Sequence, residues 1–227
     1  IRLERRQRSR QRLLAGEQPG QQRAQLHGLG LDLLALRFHP LLEGLFALLA
    51  AEDYPCHPRD RFAGDVGALH AARHYGCRVT TTTISREQYA LASERVRAAG
   101  LADRVSVLLE DYRNLSGQYD KLVSIEMIEA VGHAYYDTYF RQCSALLKPD
   151  GMMLLQAITI ADHRYEEARR SVDFIQRYIF PGSCIPSVAA MTGAIARSSD
   201  MRLYNLEDIG PHYARTLRAW CDNFFSH

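Results

Sequence analysis

The sequence has little that would tie it to a structural metal, an oxidising compartment or a membrane span. Its five cysteines are odd in number and scattered, with no CxxC and no Cys/His spacing that suits zinc. Free thiols in a reducing compartment follow. No stretch resembles a signal peptide, and no apolar run is long enough to cross a bilayer. These absences point to a cytoplasmic protein that meets a membrane only peripherally. Charge of one sign is also missing: 28 Lys and Arg stand against 26 Asp and Glu, a net of +2. That removes the global case for nucleic acid. A glycine-rich ligand loop is represented only by the ragged AGDVG of residues 63–67.

What is present is an ordinary globular composition, 47% hydrophobic and 24% charged over 227 residues. That length holds one large domain or a domain with an appendage. Residues 1–60 form a basic, helical N-terminal segment that is hard to read. Residues 1–12 carry six Arg against one Glu, which reads as a solvated helix, with contact to anionic lipid or nucleic acid as the alternative. Residues 31–51 read as helix in two pieces broken at Pro40.

From residue 61 the pattern is that of one α/β domain. Helix is expected over 68–75, strand over 77–84, helix over 87–99, and strands over 104–110 and 121–127. Helix follows over 134–147, a KPDG turn, then an apolar strand over 152–160. Such alternation gives a mostly parallel sheet with right-handed crossovers and helices on both faces. Residues 161–200 break the rhythm with charged and aromatic residues, and read as a helical lid inserted at the ligand edge. The sheet resumes at 201–206, and a last helix begins near His212.

Candidate chemistry gathers where strands end. Gly64 and Gly67 precede a helix and admit a ligand close to backbone N–H groups, or form a plain turn. Thr83, Ile84, Ser85 and Gln88 lie where nucleoside-binding sheets place a ribose contact, although Ser85 also suits an N-cap. Glu110, Asp111 and Tyr112 follow a strand, where a carboxylate accepts from an amine and an aromatic ring covers a base. Glu126 and Glu129 end the next strand; two acids there suit general-base work, or a salt bridge to arginine. Gln156 is a polar amide inside an apolar run and needs partners. Tyr178, Phe180, Ile185, Tyr213 and Trp220 suit a long apolar substrate as well as they suit a core.

The segments TTTISREQ, LLEDYRNL, SIEMIEAVGHAYYDTYF, LLKPDGMMLLQAITI, RRSVDFIQRYIFPGSCIPS and LEDIGPHYARTLRAW occur in that order. Together, over about residues 67–219, they resemble the cyclopropane-fatty-acyl-phospholipid synthase family, relatives of the mycolic acid methyltransferases. The resemblance implies a class I methyltransferase fold, Rossmann-like and seven-stranded, with a helical lid over a lipid pocket. It implies S-adenosylmethionine as cofactor, held by Gly64, Gly67, Thr83, Ile84, Gln88, Asp111, Tyr112 and Ile125. It also implies a bicarbonate ion as base, with ligands falling on Glu129, Gln156, Ile158 and Tyr213. The implied partner is unsaturated phospholipid at the inner face of the membrane, and a homodimer is left open. The product would be a cyclopropane ring, a methyl- or methylene-branched chain being the alternative. The family's glycine loop, VLEIGxGWGG, and an upstream segment bearing a bicarbonate-site cysteine have no match here, and many relatives carry His in place of Gln156. A degenerate, non-catalytic binding protein and a partly represented longer enzyme both accommodate these departures, and the intact motifs favour the longer enzyme.

Overall fold

The computed structural model describes residues 1–5 and 65–226. The expected helices of residues 31–51 and the glycine Gly64 lie outside them. The described residues fall into two compact units, one of residues 65–112 and one of residues 1–5 with 113–226. The strands of the described residues form a four-stranded sheet and a two-stranded one.

In the first unit, α1 (Asp65–Tyr75), β2 (Val79–Thr83), α2 (Arg86–Ala98) and β3 (Val105–Leu109) follow one another. The four consecutive threonines of β2 are β-branched and suit an extended chain. β2 and β3 pair in parallel from Val79↔Val105 to Thr83↔Leu109, and α2 supplies the crossover that parallel strands require. Ser85 caps α2, its hydroxyl accepting from the Gln88 N–H at 3.2 Å. Glu87 in the first turn and Arg95 and Arg97 in the last complement the helix dipole. Gly100, at φ 67°, takes the left-handed turn after the helix. The core is Ala68, Ala72, Val96 and Val105. Alanines one turn apart on α1 let it lie close to its neighbours.

Gly67 differs from expectation. It does not sit in a loop before the helix but in the first turn of α1, which already begins at Asp65.

The second unit is built on β1 (Arg2–Arg5), β4 (Tyr119–Ile125), β5 (Leu147–Gln156) and β6 (Met201–Asn205), in the order β4-β5-β1-β6. β4 and β5 are parallel, while β1 runs antiparallel to both β5 and β6. The solvated N-terminal helix is therefore corrected at residues 2–5, which form an interior strand. Leu3 is fully buried there, worth about 2 kcal/mol. Glu4 faces Arg202 across the ladder, with Oε2 2.6 Å from the guanidinium. A single buried apolar residue in RLER gives no alternation to read, and pairing on both sides makes the strand.

β5 also differs. It starts at Leu147, and Tyr119 pairs with Leu147 while Lys121 pairs with Met152, so the KPDG residues bulge out of the ladder. A Cβ on Gly151 would lie 2.9 Å from the Lys148 carbonyl oxygen, which is why glycine stands there. The strand ends at Gln156 instead of residue 160.

Behind the sheet, α4 (Tyr136–Leu146) buries Tyr136, Tyr139, Phe140, Cys143 and Leu146, a helical stripe. It packs on α7 (Val188–Ser198), whose Met191, Ala194 and Ile195 are buried. Residues 188–198 are thus a core helix between β5 and β6. The residues of the expected lid before them carry α5 (Asp162–Ala168) and α6 (Phe174–Tyr178). The intervening α3 (Ile128–Val131) is one short turn, and the last helix, α8 (Tyr213–Phe225), buries none of its side chains.

Candidate active site

The carboxyl ends of β2 and β3 carry the first group of expected ligand residues. Thr83 Oγ1 donates to Gln88 Oε1 at 2.6 Å and accepts from the Ser85 N–H at 3.1 Å. The β2 end is joined to the next strand's end by Glu110 N–H donating to the Thr83 carbonyl at 3.1 Å. Between these bonded groups Ile84 stands 79% exposed. An apolar side chain left in water at a strand end, flanked by a hydroxyl and an amide, offers chemistry that suits a ligand with both a flat and a polar face. Asp111 and Tyr112 follow directly after this edge, half-buried. Ile125, the remaining expected cofactor residue, closes β4 in the other unit, opposite Gln156 in the register.

The carboxyl ends of β4 and β5 hold the acids. Glu129, on α3, is buried, and its Oε1 accepts from the Ile158 N–H at 2.6 Å. Its Oε2 is buried with no hydrogen-bond partner among the described residues. Burial is the largest influence on its acidity and raises its pKa. The backbone N–H groups of Glu129 and Ile158 pull it back, and the charge of Glu126 pushes it up again. The Glu129 carbonyl oxygen accepts from Cys184 N–H at 2.8 Å, and Tyr136 Oη donates to the Cys184 carbonyl at 3.0 Å. The chain following α6 is thereby pinned to the acid.

Gln156 and Tyr213 do not bond to Glu129. Both donate to Glu126 Oε1, Gln156 Nε2 at 3.1 Å and Tyr213 Oη at 3.0 Å. The arginine salt bridge open to Glu126 in the sequence is replaced by these two neutral donors. The Glu126 N–H donates to the Gln156 carbonyl at 2.9 Å. Its backbone is left-handed, φ 51°, the one non-glycine with positive φ among the described residues. That conformation costs a side-chain-bearing residue about 1–2 kcal/mol, and such strain concentrates at functional sites. Just behind, Tyr139 Oη donates to Ser124 Oγ at 2.6 Å in the core, fixing the end of β4.

Glu126 is thus the hub of the edge, although the family resemblance gives it no role. Its sequence signal was its place beside Glu129 at a strand end. The long-range bonds, to residues 30 and 87 positions away, leave no local mark. The aromatics of the segment expected to form a lid are exposed, Tyr178 at 63% and Phe180 at 51%. Against α4 and α5 lies a separate cavity of about 490 Å³, lined by His133, Asp137, Asp162, Tyr165, Glu166 and Arg197. Its carboxylates are each engaged by protein groups: Asp137 by Arg197, Asp162 by the Ala189 N–H, and Glu166 by Arg169 and Arg170. None of the residues expected for the cofactor or the chemistry lines it.

The family model described as mycolic acid cyclopropane synthetase matches residues 64–227. The tuberculostearic acid methyltransferase UfaA1 of Mycobacterium tuberculosis is 42% identical over 161 residues, 71% of this chain and 37% of that protein. The cyclopropane-fatty-acyl-phospholipid synthase of Escherichia coli K12 is 39% identical over 163 residues, 70% of this chain and 39% of that protein. The chain therefore spans well under half the length of these curated relatives. Among solved structures, mycolic acid cyclopropane synthase CmaA1 complexed with SAH and CTAB superposes with a TM-score of 0.61 at 28% identity, over 68% of this chain and 57% of that one. The cyclopropane synthase MmaA2 from M. tuberculosis gives a TM-score of 0.62 at 24% identity, over 71% and 59%, and speaks to the fold. With the class I methyltransferase fold, the chain belongs to the mycolic acid cyclopropane synthetase family.

Proposed function

We propose that this chain is the methyltransferase part of an enzyme that uses S-adenosylmethionine to add one carbon across a cis double bond of phospholipid acyl chains, forming a cyclopropane ring. The observation that carries this reading is the acid pair at the end of β4, one carboxylate buried and one bridging Gln156 and Tyr213, in a chain of this family. A methylene- or methyl-branched product is the second reading, favoured by the 42% identity to a tuberculostearic acid methyltransferase.

The residues at the β2 edge fit the cofactor. Exposed Ile84 offers an apolar face, with Thr83 and Gln88 beside it for hydroxyls or a carboxylate. Asp111 and Tyr112, directly after β3, would take the adenine. When bound, the cofactor supplies an electrophilic methyl group on sulfonium. An alkene is a weak nucleophile, so the chain's task is to hold it in line with that methyl and away from water. Attack leaves a carbocation on the acyl chain, and a proton must then leave the added carbon.

The residues do not fit a bicarbonate base as they stand. Three of the donors and acceptors assigned to it are taken by the chain's own carboxylates: the Ile158 N–H by Glu129, and Gln156 and Tyr213 by Glu126. An added anion would also meet the charge of Glu126.

Membrane contact would fall on α6 and the residues after it. Phe174, Tyr178, Ile179 and Phe180 are more than half exposed there, and Arg177 lies over the Tyr178 ring at 5.5 Å. Apolar side chains beside a cation suit the interface of an anionic bilayer. No helix among the described residues is long and apolar enough to cross a membrane.

The test is expression of the full-length protein in a host whose phospholipids are cis-monounsaturated, followed by mass spectrometry and proton NMR of the acyl chains. Cyclopropane and methylene-branched chains have equal mass, and NMR separates them. Acyl chains that gain no carbon would overturn the reading.

A further inference from the structure

We propose that Glu126 is the proton acceptor of the reaction, its carboxylate standing where a free oxyanion would otherwise be held; this rests on the lipid methylation reading above. The first support is geometric. Gln156 Nε2 and Tyr213 Oη converge on one oxygen, Oε1, at 3.1 and 3.0 Å. They are two of the groups that the resemblance gives to a bound oxyanion. With Oε1 fixed by two donors, Oε2 is the oxygen that takes a proton.

The second support is a comparison of the two acids. Glu129 is buried, and its Oε1 is committed to the Ile158 N–H. A proton placed on it has no ready path to water. Glu126 is exposed, so it can lose the proton to solvent after each turnover. The third support is the backbone. Glycine takes φ 51° without strain, yet this position carries a carboxylate and tolerates the cost. The Glu126 N–H, bonded to the Gln156 carbonyl, ties that conformation to the end of β5. Tyr213 in turn opens a helix with no buried side chains, so its bond to Glu126 helps set where its hydroxyl stands.

The step balances without a further reagent. The alkene π pair forms a C–C bond to the S-methyl carbon as the S–C bond breaks, and sulfur keeps that pair. Glu126 Oε2 then takes a proton from the added carbon, and the C–H pair closes the ring onto the cationic carbon. If a hydride first shifts from the methyl-bearing carbon to its cationic neighbour, the same proton loss lets the C–H pair form a C=C bond and gives the methylene branch. One proton passes from Glu126 to water.

The experiment uses the full-length protein, S-adenosylmethionine and vesicles of dioleoyl phosphatidylglycerol, in buffer stripped of bicarbonate and again with bicarbonate or formate added. The wild type is expected to turn over equally in both. Glu126→Gly, which fits the backbone and uncovers the two donors, is expected to lose about 10²-fold without the added anion and to recover with it. Glu126→Gln keeps an oxygen for both donors but no base, and is expected to lose turnover with no recovery. A wild type that needs bicarbonate, or a Glu126→Gly variant at full rate in stripped buffer, overturns the proposal while leaving lipid methylation in place. A wild type that forms no new acyl product overturns the lipid reading and this proposal together.

Discussion

Two strand edges of this molecule are built in opposite ways. At the ends of β2 and β3, Thr83, Ser85 and Gln88 bond to one another within five residues, and these three side chains are neutral. At the ends of β4 and β5, the bonds reach 29 to 87 residues along the chain and end on carboxylates, one buried and one on a left-handed backbone. A locally closed edge suits holding a preformed cofactor. An edge that stores charge and strain suits a reaction in which charge appears and a proton moves.

The largest expected effect tests the charged edge. Glu129→Gln keeps an acceptor for the Ile158 N–H but removes a charge that would stabilise the developing carbocation, and turnover should fall by about 10²-fold or more with S-adenosylmethionine affinity unchanged. A wild-type rate would reduce Glu129 to a structural acid. The same variant separates function from stability. Burial raises the folded-state pKa of Glu129 above its ordinary 4.5, so in the window between the two values the folded state holds more protons than the unfolded one. Wild-type stability from this group is therefore full below about 4.5 and falls as pH rises through the raised pKa. Glu129→Gln should melt higher than wild type near neutral pH, and the gap should close on acidification below that window. A gap independent of pH would mean that the carboxylate is ionised at no cost in the fold.

The locally bonded edge should respond more mildly. Asp111→Ala is expected to weaken S-adenosylmethionine binding by about 1–3 kcal/mol, the scale of leaving a polar partner unmatched, with little change in turnover at saturating cofactor. Calorimetry of the full-length protein reads it. Unchanged affinity would make Asp111 a residue of the turn after β3 and shift the weight of cofactor recognition to Thr83 and Gln88.

The same contrast explains what the sequence could tell. The β2–α2–β3 stretch was legible because its determinants are local: β-branched threonines, a serine cap, a glycine stop. The long motifs around Glu129 and Gln156 carried the family resemblance. β1 was not legible, since RLER has one apolar residue and owes its form to the strands on either side. Residues 188–198 were absorbed into the lid because aromatic and charged residues just before them masked the apolar stripe of Met191, Ala194 and Ile195. The reach of Gln156 and Tyr213 to Glu126 is a tertiary fact with no spacing rule behind it.

The smallest expected effect sharpens the locally bonded edge. Ser85 accepts from the Gln88 N–H at 3.2 Å and donates to Glu87 at 2.9 Å, so it is a cap whatever else it does. Ser85→Ala should cost about 1 kcal/mol of stability, the usual loss for an N-cap hydroxyl. Thr83 Oγ1 accepts from the Ser85 backbone N–H, not from its side chain, so the Thr83–Gln88 bond survives the substitution. Cofactor affinity should therefore stay at the wild-type value, measured by calorimetry beside thermal melting. A parallel loss of affinity and stability would show that the cap itself shapes the seat at Ile84, and the two edges would then differ in charge but not in how far they depend on distant structure.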